Sequence, residues 1–180
     1  MLCIEIPKGE FWDERNEQFI TFPGQKIQLE HSLVSLSKWE AKWQKPFLSR
    51  DQKTIDEVID YVRCMTLTQN VKPEAYFCLS NDNIEAINAY IENPMTATTF
   101  NERENNSRNR EIITSEIIYY WMIANQIPFE CQKWHLNRLL TLIKVCSIKN
   151  QPPKKMSKSA ITKEYAALNA ARRKKLNSKG

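Results

Sequence analysis

The chain is poor in glycine, with only Gly9, Gly24 and Gly180. A Walker loop and a dinucleotide-binding fingerprint both need glycines where backbone closely approaches a phosphate, so nucleotide binding by those routes is excluded. Histidine is scarcer still: His31 and His135 leave general acid–base chemistry few of its usual participants. No run approaches the ~20 uncharged apolar residues of a membrane span. Met1-Leu-Cys-Ile-Glu5 lacks the basic-then-apolar order of a signal peptide, so the chain is expected to stay where it is made. Cys3, Cys64, Cys78, Cys131 and Cys146 are odd in number and lack the spacing of a disulfide framework. Four of them lie among apolar neighbours, and the set is read as reduced thiols of a cytosolic protein.

Apolar residues make up 42% and charged residues 26%, a mixture that can fold as an ordinary soluble core. A length of 180 residues suits one such core rather than two. Residues 1–150 are therefore assigned to one domain, β-rich over 1–33 and mostly helical over 35–150, with 151–180 as a basic helical tail. The net charge of +5 divides unevenly. Residues 153–180 hold nine Lys/Arg against the single acid Glu164, net +8, so residues 1–152 carry net −3.

Leu2–Ile6, Phe19–Phe22 and Lys26–His31 read as strands, with a hairpin at Pro23-Gly24. Ser37-Lys-Trp-Glu40 has the form of a capping box opening a short helix that carries Trp39 and Trp43 on one face and ends at Pro46. The box recurs at Thr54-Ile-Asp-Glu57, before a stripe of Ile55, Val58, Ile59, Val62 and Met65. Another helix is expected from Ser80 or Asn81 to Asn93-Pro94. Residues 95–100 and 111–114 are β-branched and suggest a second hairpin around the polar loop 101–110. Residues 115–124 form a helix apolar on most sides, and a long helix is expected from about Glu130 to Lys149. Residues 163–176 are alanine-rich and helix-favouring, with few bulky apolar residues. The fold class is α+β, mainly helical, with a small N-terminal antiparallel sheet and the basic C-terminal helical tail.

Candidate chemistry is sparse. Cys131 and His135 are four apart and would share a face of the long helix, as two zinc ligands or a thiol–imidazole pair do. Because no second Cys/His pair completes a tetrahedral site, a core thiol beside a hydrogen-bonded histidine is preferred, and no catalytic, cofactor or metal residue is assigned. Asp56-Glu57 is explained by the favourable position of acids at a helix start. Tyr119, Tyr120, Trp121 and Trp134 read first as core; the apolar breadth of residues 115–124 also suits a partner groove. Lys154, Lys155, Lys158, Arg172, Arg173, Lys174 and Lys175 could follow a phosphate backbone or dock on an acidic protein.

Several strings resemble a family from the tail region of tailed bacteriophages: Leu29-Glu-His-Ser-Leu-Val-Ser-Leu-Ser-Lys-Trp-Glu40, Pro94-Met-Thr-Ala-Thr98, Glu111-Ile-Ile-Thr-Ser-Glu-Ile-Ile-Tyr-Tyr-Trp-Met122 and Ile127–Ile143. The ending, Pro152-Pro-Lys-Lys-Met-Ser157 with Ala167-Leu-Asn-Ala-Ala-Arg-Arg173, is similar as well. The resemblance implies a non-enzymatic tail assembly chaperone of the host cytoplasm. Such a protein binds the tape-measure protein, keeps its apolar segments soluble and helps recruit tail-tube subunits. The alternative is a virion structural protein of the tail or head–tail connector, whose basic tail contacts DNA or an acidic neighbour.

Overall fold

The computed structural model describes residues 1–13, 17–100, 112–151 and 158–176. The chain divides into two compact units, Met1–Ile148 and Lys149–Gly180. Among the described residues no helix is long and apolar enough to cross a membrane. The expected α+β, mainly helical class is what forms.

The first unit opens with four strands, β1 (Leu2–Ile6), β2 (Gly9–Asp13), β3 (Gln18–Phe22) and β4 (Gln25–Leu29). β1 pairs antiparallel with β4 and β2 with β3, and one register runs through both ladders, from Leu2↔Leu29 to Ile6↔Gln25 and on from Gly9↔Phe22 to Asp13↔Gln18. They thus form one long ribbon with a break where Pro7 and Pro23 can donate nothing to a ladder. The expected turn at Pro23-Gly24 is therefore not a hairpin turn but this break. Gly24 fits it at φ +82, where an added Cβ would meet the Ile6 carbonyl oxygen at 3.0 Å.

Helix α1 (Leu33–Trp43) starts earlier than Ser37. Ser32 and Ser35 cap each other reciprocally: Ser35 N–H donates to Ser32 Oγ at 3.3 Å and Ser32 N–H to Ser35 Oγ at 2.9 Å. That pair satisfies the helix start one turn upstream and leaves Ser37 inside the helix. Helix α2 (Ile55–Met65) has the expected box, with Thr54 N–H on Glu57 Oε2 at 2.8 Å and Glu57 N–H on Thr54 Oγ1 at 3.3 Å. A short 3-10 segment, Pro73–Cys78, precedes α3 (Asn81–Glu92), which Ser80 caps as expected.

Residues 95–100 and 112–114 form no strand, contrary to expectation, and 101–111 lie outside the described residues. Local side chains take the backbone there instead: Met95 N–H donates to Asn93 Oδ1 at 2.9 Å and Thr98 N–H to Thr96 Oγ1 at 3.1 Å. Helix α4 (Ser115–Ala124) follows as expected. The expected helix from Glu130 is two pieces, a 3-10 segment Phe129–Lys133 and α5 (Leu136–Asn150). The break falls where His135 leaves helical geometry to cap α5, accepting from Asn137 N–H at Nδ1 over 3.3 Å.

Two apolar clusters share α1. Trp39 faces Ile6, Ile27, Leu29, Tyr61 and Met65, whereas Leu33 and Leu36 face Ile118, Met122, Leu136 and Leu139. Salt bridges of 2.5 Å from Lys42 to Asp60 and from Lys45 to Glu57 tie the end of α1 to α2. The buried Glu40 carboxylate joins the two regions: Oε1 accepts from Phe47 N–H at 2.9 Å and Oε2 from Ser115 N–H at 2.7 Å. Thr114 provides no side-chain cap, so the first amide of α4 is satisfied by a side chain of α1. Glu40→Ala strands both amides and is expected to cost about 3 kcal/mol in urea denaturation. A loss under about 0.5 kcal/mol, the range of neutral surface changes, would show that the bridge carries nothing.

Candidate partner-binding groove

The stripe on α2 is broader than its core uses. Val62 and Met65 are buried, but Ile55 and Val58 remain 78% and 42% exposed. On α3, Ile87 is buried and Ile84 is 42% exposed, and between the helices Phe77 of the 3-10 segment is 63% exposed. These side chains, with Val62 and Tyr76 as floor and Lys53 and Asn88 at the margin, line an apolar groove of about 380 Å³. Scattered exposed apolar residues are ordinary, whereas several on facing helices around one concavity mark a binding surface.

Of the sequence-derived candidates, Tyr119, Trp121 and Trp134 pack half-buried against the second apolar cluster, and Tyr120 stands 65% exposed. Tyr119 donates its hydroxyl to Gln132 at 2.9 Å, and the Arg138 guanidinium lies 4.3 Å over the Trp134 ring. The core reading thus covers three of the four. Tyr120 and Ile123, three apart on α4, form an exposed apolar strip there. The groove residues Ile55, Val58, Phe77 and Ile84 were missed because the stripe on α2 has the pattern of an ordinary core face. The signal was the excess of stripe over core. In the second unit, α6 (Lys158–Leu176) carries Arg172, Arg173, Lys174 and Lys175 exposed. Lys158 begins that helix, and Lys154 and Lys155 lie outside the described residues.

Cys131 and His135 do not share a helix face, because the break after Lys133 separates them. Both His135 nitrogens are engaged: Nε2 donates to the Tyr90 carbonyl at 2.9 Å while Nδ1 accepts from Asn137. His31 packs edge-on to His135, ring centroids 5.1 Å apart, with Nδ1 2.5 Å from the Tyr61 hydroxyl. Glu30 is adjacent, accepting from Tyr90 and paired with the Met1 amine at 3.0 Å. Among the described residues no three His, Cys, Asp or Glu are grouped to hold a metal.

Burial, then the neighbouring His135, lowers His31 from 6.5 to about 4; burial lowers His135 as well. Both rings fold neutral, so the unfolded chain binds more protons below pH 6.5. Their stabilising contribution is complete above that value and declines toward pH 4. From His31 alone the loss is about 3 kcal/mol. His31→Phe is expected to flatten the pH dependence of the urea midpoint in this window, because carboxylates titrate alike in both proteins. Parallel curves would contradict a neutral buried pair. No protein-family model, no curated protein and no solved structure matches the chain.

Proposed function

We propose that this is a non-enzymatic assembly chaperone of the tailed-phage type, acting in the host cytoplasm. It holds an apolar helical segment of a tail protein, tape measure or tail tube, in the groove between α2 and α3. The observation that carries this reading is the row of Ile55, Val58, Phe77 and Ile84, exposed around one apolar concavity. A helix laid in such a groove presents apolar anchors at i, i+3, i+4 and i+7. Covering the four side chains contributes on the order of 5 kcal/mol before the cost of association. The string resemblance to phage tail-region proteins supports the identity of the client. The exposed strip of Tyr120 and Ile123 offers a second contact for a long client.

Co-expression with the tape-measure protein of the same phage is expected to raise its solubility and yield a complex on affinity capture. Ile84→Lys should abolish capture while leaving the melting temperature within a few degrees, since the site is solvent-facing. Equal capture by wild type and Ile84→Lys, or none by either, would refute the groove as client site.

A second reading rests on the exposed cluster Arg172–Lys175 of α6. In it the protein is a virion component whose arm contacts DNA or an acidic neighbour. It requires DNA binding that falls steeply with salt and vanishes on truncation at Pro152. Unchanged binding by the truncated chain would remove it.

A further inference from the structure

The groove between α2 and α3 has three polar features in an otherwise apolar lining: the Tyr76 hydroxyl, the Asn88 amide and the Lys53 ammonium. The Tyr76 hydroxyl is already used, donating to Thr66 Oγ1 at 2.9 Å. Asn88 is exposed and neutral. Lys53 is therefore the one charge that a seated occupant meets at close range. Asp56, Asp82 and Glu85 stand exposed on the walling helices, but none of them lines the groove.

Lys53 is half-buried, with its ammonium 4.7 Å from the centre of the Phe47 ring. The carboxylates nearest it in the fold are committed elsewhere, Glu57 to Lys45 and Asp60 to Lys42, and among the described residues no carboxylate is paired with Lys53. A ring face attracts a cation but does not neutralise it. An apolar segment laid in the groove excludes water from around Lys53. That loss of hydration is costly unless the segment brings a counter-charge, and a second cation at the same place adds repulsion.

We propose that the groove selects, among apolar helical segments, those that carry Asp or Glu beside their apolar anchors, and that Lys53 reads that acid. The apolar row of Ile55, Val58, Phe77 and Ile84 supplies contact area to any such segment, and Lys53 rejects those with basic flanks. The inference rests on the reading of this groove as the seat of an apolar helix, and it adds the charge of the partner.

Two synthetic helical peptides test it, with the same leucines at i, i+3, i+4 and i+7 and with flanking glutamates in one and lysines in the other. In calorimetric titration of the full chain at about 0.05 M salt, the glutamate peptide is expected to bind roughly tenfold tighter or more, a preference that shrinks in about 0.5 M salt. Lys53→Glu should lower the preference by about tenfold. Lys53→Met, which keeps an unbranched apolar stem, should lower it by about fivefold with the melting temperature within a few degrees. The basic α6 attracts acidic peptides equally in all three proteins, so the readout is the change from wild type. No binding of either peptide, no preference in wild type, or a preference unchanged in both variants would overturn the proposal. Capture of the tape-measure protein separates it from the chaperone reading. Capture by wild type without a Lys53-dependent preference would remove the charge selection and leave the chaperone; the preference without capture would do the reverse.

Discussion

One buried carboxylate determines how the first unit is assembled. Glu40 sits near the end of α1, the helix that contributes Trp39 to one apolar cluster and Leu33 and Leu36 to the other. Its two oxygens accept from two backbone amides, one in the loop at Phe47 and one at the start of α4. A buried charge is tolerated only where hydrogen bonds replace its lost hydration. Here the bonds come from segments far apart in the chain, so satisfying Glu40 sets the position of α4 relative to α1. The opposite junction follows the same logic. His135 and Asn137, at the start of α5, donate to the last carbonyls of α3 at Tyr90 and Ile91. At these two junctions, the start of α4 and the end of α3, helix termini are completed by side chains from other parts of the chain.

That arrangement explains which parts of the fold were legible in sequence. Features with a local cause are legible: the Thr54 capping box, the Ser80 cap, and the stop at Asn93-Pro94. The errors fall where a distant or reciprocal partner decides. Ser32 and Ser35 cap each other without the Glu that marks a capping box, so the motif at Ser37 was preferred to the real start of α1. Nothing near His135 in sequence indicates that its ring will bond the backbone of α3, and so the break between Lys133 and Leu136 was hidden. The strand pairing was misread because Pro23-Gly24 has the composition of a turn; its geometry depends on Pro7, sixteen residues earlier on the opposite strand.

The candidate site was legible only as a residue. Aromatic content points to α4, yet Tyr119, Trp121 and Trp134 pack partly buried against the second apolar cluster. The groove instead arises from aliphatic residues in a pattern that any core helix shares. Its mark is a mismatch: an apolar stripe on α2 that the core covers only at its C-terminal half. A structure can show such a surplus and a sequence cannot, because burial is settled by what packs opposite. Ile55 and Phe77 stand exposed on this surplus face, and apolar side chains exposed around one concavity mark a binding surface.

Hydrogen–deuterium exchange on the full chain, alone and in complex with co-purified client, addresses the groove directly. Slower exchange in 55–65 and 81–92 on complex formation is the expected result, because α2 and α3 would then be covered along their length. Protection confined to 115–124, with α2 and α3 unchanged, would place the client on α4 and contradict the groove as the working surface.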